Sequence, residues 1–133
     1  MKKISIVLEK NLSPGQKSNV AAIIMGQIAK DMPSIYDEKV IDQSKIEHAG
    51  IAVNVVILDG GSGQLLTLVE SGKSDEVYCV AFSSTGQALS NSYPEYQQKI
   101  SLMDSKSTGI IGVGIVGDES VVKPLTKKFS LTK

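Results

Sequence analysis

The segment Leu12-Ser13-Pro14-Gly15-Gln16, continued by Lys17-Ser18-Asn19-Val20-Ala21-Ala22, holds the residues best spaced for chemistry. Ser13 suits a helix N-cap, Pro14 the first helical position, and Gln16 the place where a capping box takes Glu or Gln. An apolar strand precedes the corner, so Lys17 and Asn19 enter the first turns of a helix at a sheet edge. Unpaired N–H groups and the helix dipole attract anions there, and open α/β sheets bind ligands beyond the carboxyl ends of their strands. Lys17 and Asn19 are therefore ligand-binding candidates, with Lys17 expected on the surface. A well-capped helix that binds nothing satisfies the same residues.

Other segments suggest chemistry more weakly. Asp59-Gly60-Gly61-Ser62-Gly63 joins a strand to a helix and could form a phosphate nest, but it lacks a triphosphatase lysine and reads as a flexible turn. Gly112-Val113-Gly114-Ile115-Val116-Gly117 spells a dinucleotide fingerprint without the βαβ unit and distal acid that fingerprint needs, so its glycines are expected to admit a closely packed neighbour. His48 is the only histidine and Cys79 the only cysteine. They cannot assemble a zinc site, no metal or cofactor is expected, and Cys79 reads as a small core residue. No serine sits in a nucleophile elbow. The pairs Asp37-Glu38, Asp75-Glu76 and Asp118-Glu119 precede expected elements, where caps and dipole partners belong.

The chain of 133 residues is long enough for one domain, 1–133, with a proper core. Its charges balance, and all 14 basic residues are lysine. Without arginine or tryptophan it has neither the field nor the usual anchors for nucleic acid, which is not expected as a partner. The C-terminal lysines read as a solvated helix face. No apolar run has the length of a membrane span, and the stretch after Met1-Lys2-Lys3 stops at Glu9-Lys10, too short for a signal peptide. A cytoplasmic location follows as the expectation, in keeping with a single cysteine.

Strands are predicted at 3–8, 51–58, 77–82 and 109–117, where β-branched residues cluster. Helices are predicted from Pro14 to Lys30 or Asp31, over 64–71 with Gly72 as C-cap, and from Asp118 to about Phe129 with a bend at Pro124. The first is apolar nearly all round and is expected to be buried on more than one side. A short strand or turn is expected around Lys39-Val40-Ile41, and a polar excursion over 83–108 with a short helix from Tyr93-Pro94. Alternating strands and helices predict an α/β layer structure.

Two segments together resemble a known family. Leu12-x-Pro14-Gly15-Gln16-x-x-Asn19-Val20-Ala21-Ala22 and Gly117-Asp118 with Leu125-Thr126-Lys127-Lys128-Phe129-Ser130-Leu131 resemble the bacterial domain-of-unknown-function family numbered two thousand, similar in fold to type II peptidyl-tRNA hydrolases. The resemblance spans essentially the whole chain. It implies a three-layer α/β/α domain with a mixed four-stranded sheet, commonly a homodimer, and no known activity. The hydrolases carry a lysine-bearing corner ending in Val-Ala-Ala, matched by Lys17 and Val20-Ala21-Ala22. They also carry an acid and a threonine beyond the third strand, where this chain has Phe82-Ser83-Ser84-Thr85. Thr85 matches the threonine; serine replaces the acid, and with it the natural base or water-orienting group.

The expected function is a non-hydrolase relative binding a small anionic or polar ligand at the first strand–helix corner, with Lys17, Asn19, Ser84 and Thr85 as candidates. The alternatives are a hydrolase of peptidyl-tRNA or an aminoacyl ester using Lys17 and Thr85, and a dimeric interaction module. The apolar, glycine-rich fourth strand and its bent following helix are the expected dimer surface.

Overall fold

The computed structural model describes residues 1–89 and 91–133. The chain opens with β1 (Lys2–Glu9) and α1 (Pro14–Asp31), then a 3-10 turn at Pro33–Ile35. The expected capping box is present at α1: the Ser13 hydroxyl accepts from the Gln16 N–H, and the Gln16 side chain accepts from the Ser13 N–H. Pro33 ends α1 by disfavouring helical geometry at Met32. A small hairpin follows, β2 (Val40–Ile41) with β3 (Glu47–His48), before β4 (Asn54–Gly60) and α2 (Ser62–Ser71). Ile51 and Ala52, expected to begin that strand, instead join the turn before the hairpin: Tyr36 bridges Ile51 and the Ala52 N–H reaches the Ile35 carbonyl.

After β5 (Val77–Ser83) the described residues of the expected excursion form short helices, α3 (Ser84–Ala88), α4 (Tyr93–Ser101) and α5 (Ser105–Thr108). Ser90, within that excursion, lies outside the described residues. The chain closes with β6 (Ile110–Asp118), α6 (Glu119–Thr126) and β7 (Ser130–Leu131). Asp118 caps α6 through the Ser120 N–H. The helix stops at Thr126 rather than Phe129: Pro124 cannot bond the carbonyl four residues back, and two residues later the helix ends.

Among the described residues the main sheet has five strands in the order β5-β6-β1-β4-β7, not the expected four. The added strand is β7, which pairs antiparallel with β4 through Leu58–Leu131 and Asp59–Ser130. The sheet is mixed: β1 runs parallel to β4 and antiparallel to β6.

Alternation along β1 assigns its two faces. Ile4, Ile6 and Leu8 face α1 through Val20, Ile24 and Ile28, whereas Val7 packs with Leu65 and Leu68 of α2 and Val122 of α6. Each fully covered aliphatic side chain stabilises the fold by about 1.5–3 kcal/mol. Two corrections follow. Helix α1 buries one stripe only, leaving Ala22 and Ile23 exposed, because it is the outer layer of its face. Strand β6 is buried almost throughout between the helical layers, so it offers no surface for a dimer. Its glycines admit α1 as expected: a Cβ on Gly112 would stand 2.6 Å from Val20 Cγ1, and one on Gly114 2.6 Å from Ile24 Cγ2.

Candidate functional site

Strands β1 and β4 are parallel neighbours, yet the helices that follow them pack on opposite faces of the sheet. Their carboxyl ends therefore flank a switch point, the place where open α/β sheets leave a crevice. A cleft of about 430 Å³ lies there. It joins the two corners singled out in the sequence, 13–19 after β1 and 59–63 after β4.

Lys17 and Asp59 form its floor. The Lys17 ammonium donates to Asp59 Oδ2 at 2.8 Å, and the two side chains are only 10% and 11% exposed. Lys17 is thus buried, not on the surface as expected. The reason lies in helical phase: residues 17, 20, 24 and 28 form the single inward stripe of α1. A charge on that stripe needs a counter-ion, which β4 supplies one residue after Leu58.

Asp59 holds further partners. Oδ1 accepts from the Thr132 hydroxyl, and the Lys133 N–H approaches Oδ2 at 3.4 Å. Burial pushes the Asp59 carboxyl up, but the hydrogen bonds from Lys17, Thr132 and Lys133 outweigh it and hold the group below the usual carboxylate range. At neutral pH the floor is a fixed ion pair.

The rim differs in charge. Lys10, Lys128 and Lys133 line the cleft, all exposed, and none makes an ion pair among the described residues. Asn11, Gln64 and Ser130 add neutral donors and acceptors. Four lysines and one aspartate thus line the cleft, an excess of positive side-chain charge. Gly60 and Gly61 bring bare backbone to the wall, although the Gly61 N–H is occupied by Gln64 Oε1. Gly60 is also required by packing, since a Cβ there would stand 2.6 Å from the Phe129 ring.

The family described as Protein of unknown function (DUF2000) matches residues 2–133. The chain belongs to that family. Its structure is similar to that of a protein of unknown function, Atu0240 from Agrobacterium tumefaciens strain C58, with a TM-score of 0.86. The two share 18% identity over 99% of this chain and 98% of the other, a likeness of fold alone. No curated protein matches the sequence.

The other candidate residues of this DUF2000 chain are not gathered at the cleft. Asn19 is exposed on α1, away from the lining. Ser84 and Thr85 begin α3 beyond β5, with β6 between β5 and β1, and neither lines the cleft. The Ser84 N–H bonds the Gly109 carbonyl, tying α3 to the start of β6. His48 lies on the hairpin with Nε2 2.7 Å from Asp42 Oδ2, so its partner is Asp42 and not Cys79. Cys79 is half-buried beside Gly72, and burial pushes its thiol up to about 11. Among the described residues, no helix is long and apolar enough to cross a membrane.

Proposed function

We propose that this DUF2000 chain binds a small anionic ligand in the cleft above the Lys17–Asp59 pair. The observation that carries the reading is the imbalance of charge: Lys10, Lys128 and Lys133 ring the cleft without ion-pair partners among the described residues, over a floor whose own charges cancel. Lysines around a shallow polar crevice suit a compact anion approached by several point charges, whereas a planar two-point grip would need arginine, which the chain lacks. In this reading the fold is similar to that of type II peptidyl-tRNA hydrolases, the protein is cytoplasmic, and it acts as a homodimer.

Hydrolysis is the less favoured alternative. It would require Lys17 and Thr85 to share a site, and Thr85 is not among the residues that line the cleft. Asp59, the carboxylate beside Lys17, is already committed to three donors and held ionised, a poor arrangement for drawing a proton from water.

Calorimetric titration with inorganic phosphate, pyrophosphate and a dicarboxylate tests the reading. Saturable binding that weakens at least tenfold in Lys10→Ala/Lys128→Ala, with unchanged melting, is the expected result. Heat that never saturates, or binding indifferent to both substitutions, would overturn it. Release of product from peptidyl-tRNA above a heat-killed control would instead establish the hydrolase.

A further inference from the structure

The two edges of the main sheet are managed differently. At one end β7 is two residues long and flanked by Lys127, Lys128 and Lys133, the short and charged edge that resists strand addition. At the other end β5 reads Val-Tyr-Cys-Val-Ala-Phe-Ser, with no charge and no proline. Such an edge is a template for another strand unless something covers it. Tyr96 of α4 lines the hollows on both sides of Phe82 and so guards the last part of the edge. Val77–Ala81 is left open: among the described residues its backbone has no hydrogen-bond partner beyond β6. Its side chains are half-buried, Ala81 is exposed, and Ile23 of α1 lies beside the strand, 39% exposed.

We propose that the outer edge of β5, Val77–Ala81, pairs antiparallel with the same strand of a second copy of this chain. Antiparallel pairing about a two-fold axis is self-complementary, so it needs no foreign sequence. Centred on Cys79, it sets Val77 opposite the partner's Ala81. The uncharged strand brings no like charges together. The acidic flanks Asp75-Glu76 of the two copies fall at opposite ends of the joint. Backbone bonds along the edge set the register, while Ile23 and Val80 extend apolar contact across one face. The inference rests on the homodimer of the proposed function and is independent of the ligand.

Light scattering over a wide concentration range, with hydrogen exchange at both ends of it, tests the proposal. The expected result is a mass twice 14.1 kDa, and protection of the 77–81 amides that rises with concentration. Ala81→Lys places a charge on the edge at an exposed position and is expected to give a folded monomer. Leu102→Asp, just past the end of α4 and 82% exposed, is expected to leave the dimer intact. A wild-type monomer at every concentration would overturn both the homodimer and this interface. A dimer whose 77–81 amides exchange freely, or one that persists in folded Ala81→Lys, overturns the interface alone. If Ala81→Lys does not fold, the concentration dependence of wild-type exchange decides.

Discussion

The Lys17 ammonium and the Asp59 carboxylate meet at 2.8 Å between the ends of two parallel strands, each side chain about nine-tenths covered. Breaking such a pair from one side leaves a buried charge without its counter-ion, which costs about 3 kcal/mol even when other donors remain. Lys17→Met is therefore expected to lower unfolding free energy by about 3 kcal/mol. The double variant Lys17→Met/Asp59→Leu is expected to recover most of that, because both desolvation penalties go together. Asn19→Ala, two residues along but exposed, should stay within about 0.5 kcal/mol of wild type. Urea melts of the four proteins check the ordering; equal losses in Lys17→Met and Asn19→Ala would refute it.

Acid should expose the same pair. The Asp59 carboxyl is held below its unfolded value of 3.8, so the folded state binds its proton less readily than the unfolded chain does. Its contribution to stability is complete above about pH 4 and is lost as pH falls through the folded value. Asp59→Asn should be less stable than wild type at neutral pH, and the gap should narrow toward pH 2. Denaturant midpoints measured across that range would show it. A constant gap would mean that the carboxylate's charge does nothing for the fold.

Much of this architecture was legible in the sequence, and the departures have local causes. The capping box at Ser13 and Gln16 sets the start of α1 from neighbouring residues alone, so the reading needed no tertiary information. The burial of Lys17 was not read from the sequence, although it falls three residues before Val20 on the inward stripe. Its polar head argued for the surface, and only a counter-ion 42 positions away reconciles the two. That pairing depends on β1 and β4 lying side by side, which periodicity does not reveal. Strand β7 was missed because two residues carry no pattern, and its formation rests on β4 offering an edge. Ser84 and Thr85 were separated from the cleft by β6, a topological fact absent from any local motif.

Two glycines that look alike in sequence should respond oppositely to alanine. Gly26 lies inside α1, and a Cβ added there would meet nothing within 4 Å, so Gly26→Ala should stabilise by about 0.5–1 kcal/mol through helix propensity. Gly114 lies beneath the same helix, where a Cβ would stand 2.6 Å from Ile24 Cγ2 and 2.9 Å from Ile28 Cδ1. The branched Ile24 methyl cannot swing clear without moving α1, so Gly114→Ala should cost about 1–3 kcal/mol. Thermal melts give the sign directly. Stabilisation by both substitutions would mean that α1 does not rest on β6.

Ser5 offers the cleanest test of a buried polar group. It stands in the middle of β1 between Val56 and Ile115, fully covered, and among the described residues its hydroxyl has no hydrogen-bond partner. An unpaired hydroxyl in such surroundings costs about 1–3 kcal/mol of desolvation. Ser5→Ala removes that penalty and leaves a void smaller than a methyl group, which takes back part of the gain. The expected outcome is stability equal to wild type or higher by up to about 1 kcal/mol, against the usual direction for core substitutions. Ser5→Asn, which adds bulk and two more donors to the same place, should be strongly destabilising. Chemical denaturation of both variants decides: a loss above about 1 kcal/mol in Ser5→Ala would show that the hydroxyl is bonded in solution, with a donor or acceptor that β1 must share.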